Sequence, residues 1–127
     1  MDKGNLSIFD EICTEDYRCH FPWSQKPLNR EVHKRIMEGN LAAFPDYNHT
    51  VEDIISHGDK VVVRVTNRGT HKGNFYGTPP TGKEVEFSVI SITRFVDGKV
   101  AEMWAEFDSL DLNQQLGREL KPWEGEK

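Results

Sequence analysis

Ser88-Val89-Ile90-Ser91-Ile92-Thr93-Arg94-Phe95, then Val96-Asp97-Gly98-Lys99, then Val100-Ala101-Glu102-Met103-Trp104-Ala105-Glu106-Phe107-Asp108 reads as two antiparallel strands joined at an Asp-Gly turn. Side chains alternate between faces along a strand, so Trp104, Glu106 and Asp108 share one face. An aromatic ring followed by two carboxylates is a poor recipe for a dry core. It suits a pocket that needs a proton acceptor beside an apolar wall, or a strand face turned to water.

Working outward from this hairpin, residues 48–56 and 61–71 form a second one around His57-Gly58-Asp59-Lys60. A Gly- and Pro-rich loop over 72–82 links the two, which makes about four long strands in one meander. Nearer the start the period becomes helical. Ile8, Phe9, Ile12 and Cys13 support a short amphipathic helix over 6–13, residues 17–21 read as extended, and 22–27 as a loop. Val32, Ile36, Ala43 and Phe44 predict a helix over 29–44 that stops before Pro45, with Gly39 weakening its middle. Beyond Asp108, residues 110–116 predict a helical turn closed by Gly117. Helices first and long antiparallel strands afterwards imply an α+β fold, with helices laid across one curved sheet. A concave face covered in that way encloses a cone-shaped cavity.

The chain has 127 residues, which suits one domain, read as 1–117 with a charged C-terminal tail over 118–127. Hydrophobic residues make up 36% and charged residues 29%, the mark of a folded protein with a polar surface. Lys and Arg number 16 against 21 Asp and Glu, for a formal charge of -5, and the basic residues are scattered singly. That distribution argues against a nucleic-acid partner. Residues 1–5 carry no apolar segment behind a basic end, and the longest aliphatic run is Val61-Val62-Val63, so no membrane partner and a cytoplasmic location are expected. Cys13 and Cys19 sit in apolar company and read as buried thiols rather than a disulfide or metal site.

Asp108 is the leading candidate for a general acid or base, because a carboxylate among Trp104, Phe87 and other aromatics has its pKa raised by desolvation. Phe87 lies opposite Asp108 if the Asp97-Gly98 turn sets the register. The competing interpretation makes Asp108 a surface N-cap for the helix that follows. Glu106 is two residues away, about 7 Å along the same face, and is either a pocket acid or an exposed strand acid. Arg64 alternates with Thr66 and Arg68, and either serves the pocket or faces water. His20 and His71 stand at strand ends, where pocket rims form, and are candidate proton carriers. His33, His49 and His57 look exposed, no pair shows metal-ligand spacing, and no metal is expected. Trp23, Phe75, Tyr76 and Trp104 are candidate pocket walls or core packing. Nucleophile elbows, phosphate loops and dinucleotide fingerprints do not occur.

Taken in order, Ala43-Phe44-Pro45-Asp46, Gly58-Asp59-Lys60-Val61-Val62-Val63-Arg64, Gly69-Thr70-His71, Pro79-Pro80-Thr81-Gly82-Lys83, Asp97-Gly98-Lys99, Trp104-x-Glu106-x-Asp108 and Gln115-Leu116-Gly117 resemble the SnoaL-like polyketide cyclase family, also called ester cyclases. The match spans roughly residues 20–117. The resemblance implies the NTF2-like fold, a cone of curved antiparallel sheet packed with N-terminal helices, and a homodimer formed through the sheet. It implies that Asp108 matches an aspartate that acts as acid and base in an intramolecular aldol ring closure without a cofactor. The same superfamily hosts isomerases, dehydratases, epoxide hydrolases and non-catalytic binders, so fold alone does not decide activity. Two departures stand out. Met103 replaces the first member of a His-Trp pair usual in the family, and the long first helix of relatives is expected to be missing before Lys3-Gly4-Asn5, leaving one wall of the cone open or filled by the tail with Trp123 or by a second subunit.

The expected activity is cofactor-independent acid/base chemistry, as a cyclase, isomerase or lyase, on a small apolar carbonyl compound. Asp108 takes the proton, His20, His71 or Arg64 stabilises the enolate oxygen, and Trp104, Glu106, Phe75 and Trp23 contact the substrate. The alternatives are a small-molecule binding protein without chemistry and an epoxide or ester hydrolase.

Overall fold

The computed structural model describes residues 7–117; the expected tail at 118–127 and the segment before residue 7 lie outside the described residues. In chain order the elements are α1 (Ile8–Ile12), β1 (Cys13–His20), β2 (Leu28–Asn29), α2 (Arg30–Ala43), β3 (Asn48–His57), β4 (Lys60–Thr70), β5 (Glu84–Val96), β6 (Lys99–Phe107) and α3 (Ser109–Gln115). The strands form one six-stranded sheet ordered β2-β1-β6-β5-β4-β3. The expected α+β fold with its run of four antiparallel strands is present. The sheet is mixed rather than wholly antiparallel, because β1 runs parallel to β6. Only a hairpin obliges neighbours to run in opposite directions, and β1 reaches β6 after most of the chain has intervened.

Local chemistry explains the boundaries. Asn29 caps α2 by accepting from the Val32 amide at 2.9 Å, and Asp108 caps α3 by accepting from the Asp111 amide at 2.9 Å. Asp97 and Gly98 take φ of 50° and 79°, which fits the strand twist of a two-residue hairpin. A bulge next to this turn changes the register: Phe95 pairs with Val100, but Arg94 pairs with Glu102. The extra residue moves Phe107 opposite Val89 and takes Phe87 out of line with Asp108, which corrects the register expected from the turn alone.

The bulge also decides which face looks inward. Past it, Met103, Ala105 and Phe107 turn toward the helices, together with Val85, Phe87, Val89 and Ser91 of β5 and Val65, Asn67 and Gly69 of β4. Glu102, Trp104 and Glu106 lie on the outer face, across from Arg94, Ile92 and Ile90. Glu102 and Glu106 therefore do not face the cavity.

Two apolar clusters flank the interior. Ala43, Phe44, Val85, Leu112 and Leu116 form one, with Tyr47, Phe75 and Phe87 against it. Phe9, Cys13, Tyr17 and Cys19 form the other, with Phe21, Leu28, Met37 and Met103 against it. Cys13 and Cys19 are both free and buried. α1 is a five-residue helix, and Ile54, across from Val63 on the inward side of β3, is 65% exposed.

The loop after β4 is tied to the end of α2, since the amides of Lys72 and Gly73 both donate to the Ala43 carbonyl at 2.9 and 3.0 Å. A Cβ on Gly73 collides with the Ala42 backbone carbonyl. Backbone cannot swing aside as a flexible side chain does, so Gly73→Ala is expected to destabilise the fold by about 1–3 kcal/mol. Urea denaturation checks this, and a midpoint equal to that of the unmodified chain counts against the close approach.

Candidate functional site

Between the clusters and the inward face of the sheet lies a cavity of about 820 Å³. That volume is in the range that holds a drug-sized molecule. One wall comes from α2, where His33, Ile36, Met37, Asn40 and Leu41 line it, continued by Phe44 just past the helix end. Their spacing is that of a single helical stripe. The sheet supplies Phe87, Val89, Met103, Ala105 and Phe107, the rim segments supply Phe21, Trp23, Phe75 and Tyr76, and α3 supplies Leu112 and Asn113. Most of the lining is apolar or aromatic, and polar side chains such as Asn40, His49, Asn67 and Arg68 are interspersed.

His33 and Asn67 are the buried polar residues on this lining, at 7% and 4% exposure. His33 Nδ1 is 2.9 Å from the Tyr17 hydroxyl. Its ring is also packed edge-on against Phe9 at 4.9 Å and Phe21 at 5.3 Å, and stacked with Tyr17 at 5.8 Å. Burial pushes the His33 pKa down from 6.5 to about 4, so the ring is neutral at neutral pH. Burial likewise raises the Tyr17 hydroxyl well above its ordinary value and pushes Tyr47 up to about 12, so both phenols keep their protons. The expectation that His33 is exposed is thus overturned. The signal was present in its place on the α2 stripe, four residues before Met37 and three before Ile36.

The residues singled out from the sequence divide into three groups. Trp23 and Phe75 line the cavity. His20, Arg64, Trp104 and Glu106 do not, because they belong to the outer face. There His20 stacks on Trp104 at 5.2 Å and 4° and contacts Glu102 at 2.7 Å, while Arg94 approaches the other Glu102 oxygen at 3.1 Å. The His20 ring, followed by the Arg94 guanidinium, holds the Glu102 carboxyl below its ordinary value. Arg64 pairs with Asp53 at 2.7 Å on the solvated side of the sheet. The third group is His71 and Asp108, which border the cavity without lining it.

His71 is fully buried behind Phe44 and Phe75. Its Nδ1 accepts from the Thr81 amide at 3.2 Å and lies 2.9 Å from the Thr81 hydroxyl, while its backbone closes the loop against Gly82 and Lys83. It fastens the loop, and its Nε2 has no partner among the described residues. Asp108 is exposed and stands in the chain between Phe107 and Ser109, which both line the cavity. One carboxylate oxygen is engaged in capping α3. No group of three or more potential metal ligands occurs among the described residues, and no helix there is long and apolar enough to cross a membrane.

Comparison with known proteins adds a family to this geometry. The family model for SnoaL-like polyketide cyclases matches residues 1–116. Aklanonic acid methyl ester cyclase DnrD of Streptomyces peucetius is 33% identical over 82 residues, which are 64% of this chain and 54% of that protein, so the match spans about half the length of the curated relative. Among solved structures, IdmH of Streptomyces antibioticus, described as a candidate polyketide cyclase, aligns with a TM-score of 0.79 at 34% identity, over 90% of this chain and 88% of its own. AclR of Streptomyces galilaeus, described as a candidate hydroxylase, aligns with a TM-score of 0.82 at 32% identity, over 94% of this chain and 75% of its own.

Proposed function

Because the chain belongs to the SnoaL-like polyketide cyclase family, we propose that its cavity binds an apolar carbonyl compound and that Asp108 moves the proton in a cofactor-independent ring closure. The observation that supports this is the place of Asp108 in the chain, directly between two residues that line about 820 Å³ of mostly apolar space. In the proposed step the carboxylate takes a proton from the carbon next to a carbonyl. The resulting enolate carbon attacks a second carbonyl of the same molecule, forming a C–C bond, and the alkoxide so produced takes the proton back from the Asp108 carboxylic acid. Protons and electrons balance with no added reagent.

An exposed carboxylate is a weak base for a carbon acid in water. A bound apolar substrate that covers the carboxylate removes that water from the reacting atoms. The helix-capping bond is accepted by Oδ1, and the proposed proton transfer uses Oδ2.

The test uses aklanonic acid methyl ester, the compound in the name of the cyclase relative, and a simple aryl β-ketoester as a second probe. Ring-closed product from the first, or accelerated exchange of the acidic C–H for deuterium in the second, is the expected result. A folded protein that does neither with either probe overturns the proposal.

A further inference from the structure

The cavity holds a polar side chain whose hydrogen-bonding capacity is half used. Among the described residues the hydrogen bond of His33 is the one at Nδ1, with Tyr17. Tyr17 is 1% exposed, so its O–H must donate inside the protein. An imidazole nitrogen is a far better acceptor than the nearby Cys19 sulfur. With the phenol donating to Nδ1, the single proton of a neutral imidazole resides on Nε2.

We propose that His33, fixed in this tautomer by Tyr17, is the donor that the cavity offers to the carbonyl oxygen of a bound substrate, through its Nε2–H. This rests on the reading that the cavity binds a carbonyl compound. It supplies the group that His20, Arg64 and His71, placed elsewhere, do not. When a proton leaves the neighbouring carbon, negative charge builds on that oxygen, and a preset donor in apolar surroundings stabilises it more than it stabilises the ground-state carbonyl. A neutral ring also has no charge to desolvate when the site closes. The aromatic packing of Phe9, Phe21 and Tyr17 holds the ring in place, and His33 is one of the residues that line the cavity.

The experiment separates the donor from the cavity by using fluorenone, a rigid aromatic ketone, beside fluorene, the hydrocarbon of the same outline. The unmodified chain is expected to bind the ketone about tenfold more tightly, the value of one good hydrogen bond. The infrared C=O band of bound fluorenone should shift to lower frequency. In the double variant Tyr17→Phe/His33→Leu, which removes the two hydrogen-bonded side chains together rather than stranding one of them, the preference and the shift should vanish. Asn67→Leu removes the other buried polar side chain of the lining and so tests the rival donor: overall affinity is free to change there, but the preference for the ketone and the shift should remain. Long-range proton–nitrogen NMR of the free protein should show the His33 proton on Nε2.

A proton on Nδ1 overturns the proposal, as does a carbonyl shift that survives the double variant or disappears in Asn67→Leu. Equal binding of ketone and hydrocarbon tells against His33 alone. Failure of the folded chain to bind either ligand tells against the cavity itself, and so against the function proposed above.

Discussion

Asp108→Asn is expected to slow ring closure by about 10²–10⁴-fold, the usual contribution of a positioned general base, while leaving the melting temperature nearly unchanged. Both halves follow from the two roles of the side chain. Asn is as good an N-cap as Asp, so the bond from the Asp111 amide to the residue at 108 is retained and α3 stays in place. Only a few tenths of a kcal/mol are lost with the charge at this exposed helix end. The amide, however, takes no proton from carbon. Asp108→Ala is the less informative change, since removing the cap costs about 1 kcal/mol and loosens Leu112 and Leu116, which pack in the core. Initial rates for the unmodified chain and Asp108→Asn, with thermal melts beside them, decide the matter. Full activity in a well-folded Asp108→Asn removes this residue from the chemistry.

The second large effect is on stability against pH. Above pH 6.5 the His33 ring is neutral in both the folded and unfolded chains and contributes nothing. Below 6.5 the unfolded ring gains a proton while the buried one resists until about pH 4, so the unfolded state is progressively favoured across that window. At about 1.4 kcal/mol per unit, the loss approaches roughly 3 kcal/mol. Exposed carboxylates add their own acid sensitivity, so the measurement is a difference. Urea denaturation of the unmodified chain and of Tyr17→Phe/His33→Leu, repeated from pH 7 to pH 4, should show stabilities that move apart as the pH falls, with the variant losing less. Parallel curves mean that the ring is not desolvated as described.

Much of the fold was legible because its signals are local. The helix of 29–44 was announced by apolar spacing and bounded by Asn29 and Pro45, and α2 occupies Arg30–Ala43. The Asp97-Gly98 turn and the alternation around it placed β5 and β6. The site was harder, because it depends on long-range geometry. Alternation correctly groups Trp104 with Glu106, but one inserted residue next to the turn breaks the period, and neither residue type reveals on which side the helices will settle. The same uncertainty sent Arg64 and His20 to candidate roles inside, when their acid partners, Asp53 and Glu102, wait for them outside. His33 is hard to place from sequence for a different reason. A histidine flanked by Val32 and Lys34 has the polarity of a surface residue, and only its register with Ile36, Met37 and Phe44 points inward. Tyr17, sixteen residues earlier on another element, could not be paired with it from spacing at all.

β6 thus carries two interleaved texts. Its inward letters, Met103, Ala105 and Phe107, shape the cavity, and its outward letters, Glu102, Trp104 and Glu106, meet solvent and neighbouring charges. Single substitutions can edit one text and leave the other intact, so preference for a ligand and character of the surface are free to drift separately in evolution or in the laboratory. Ala105 is the natural first letter to change, because every larger residue there trims the chamber from its floor.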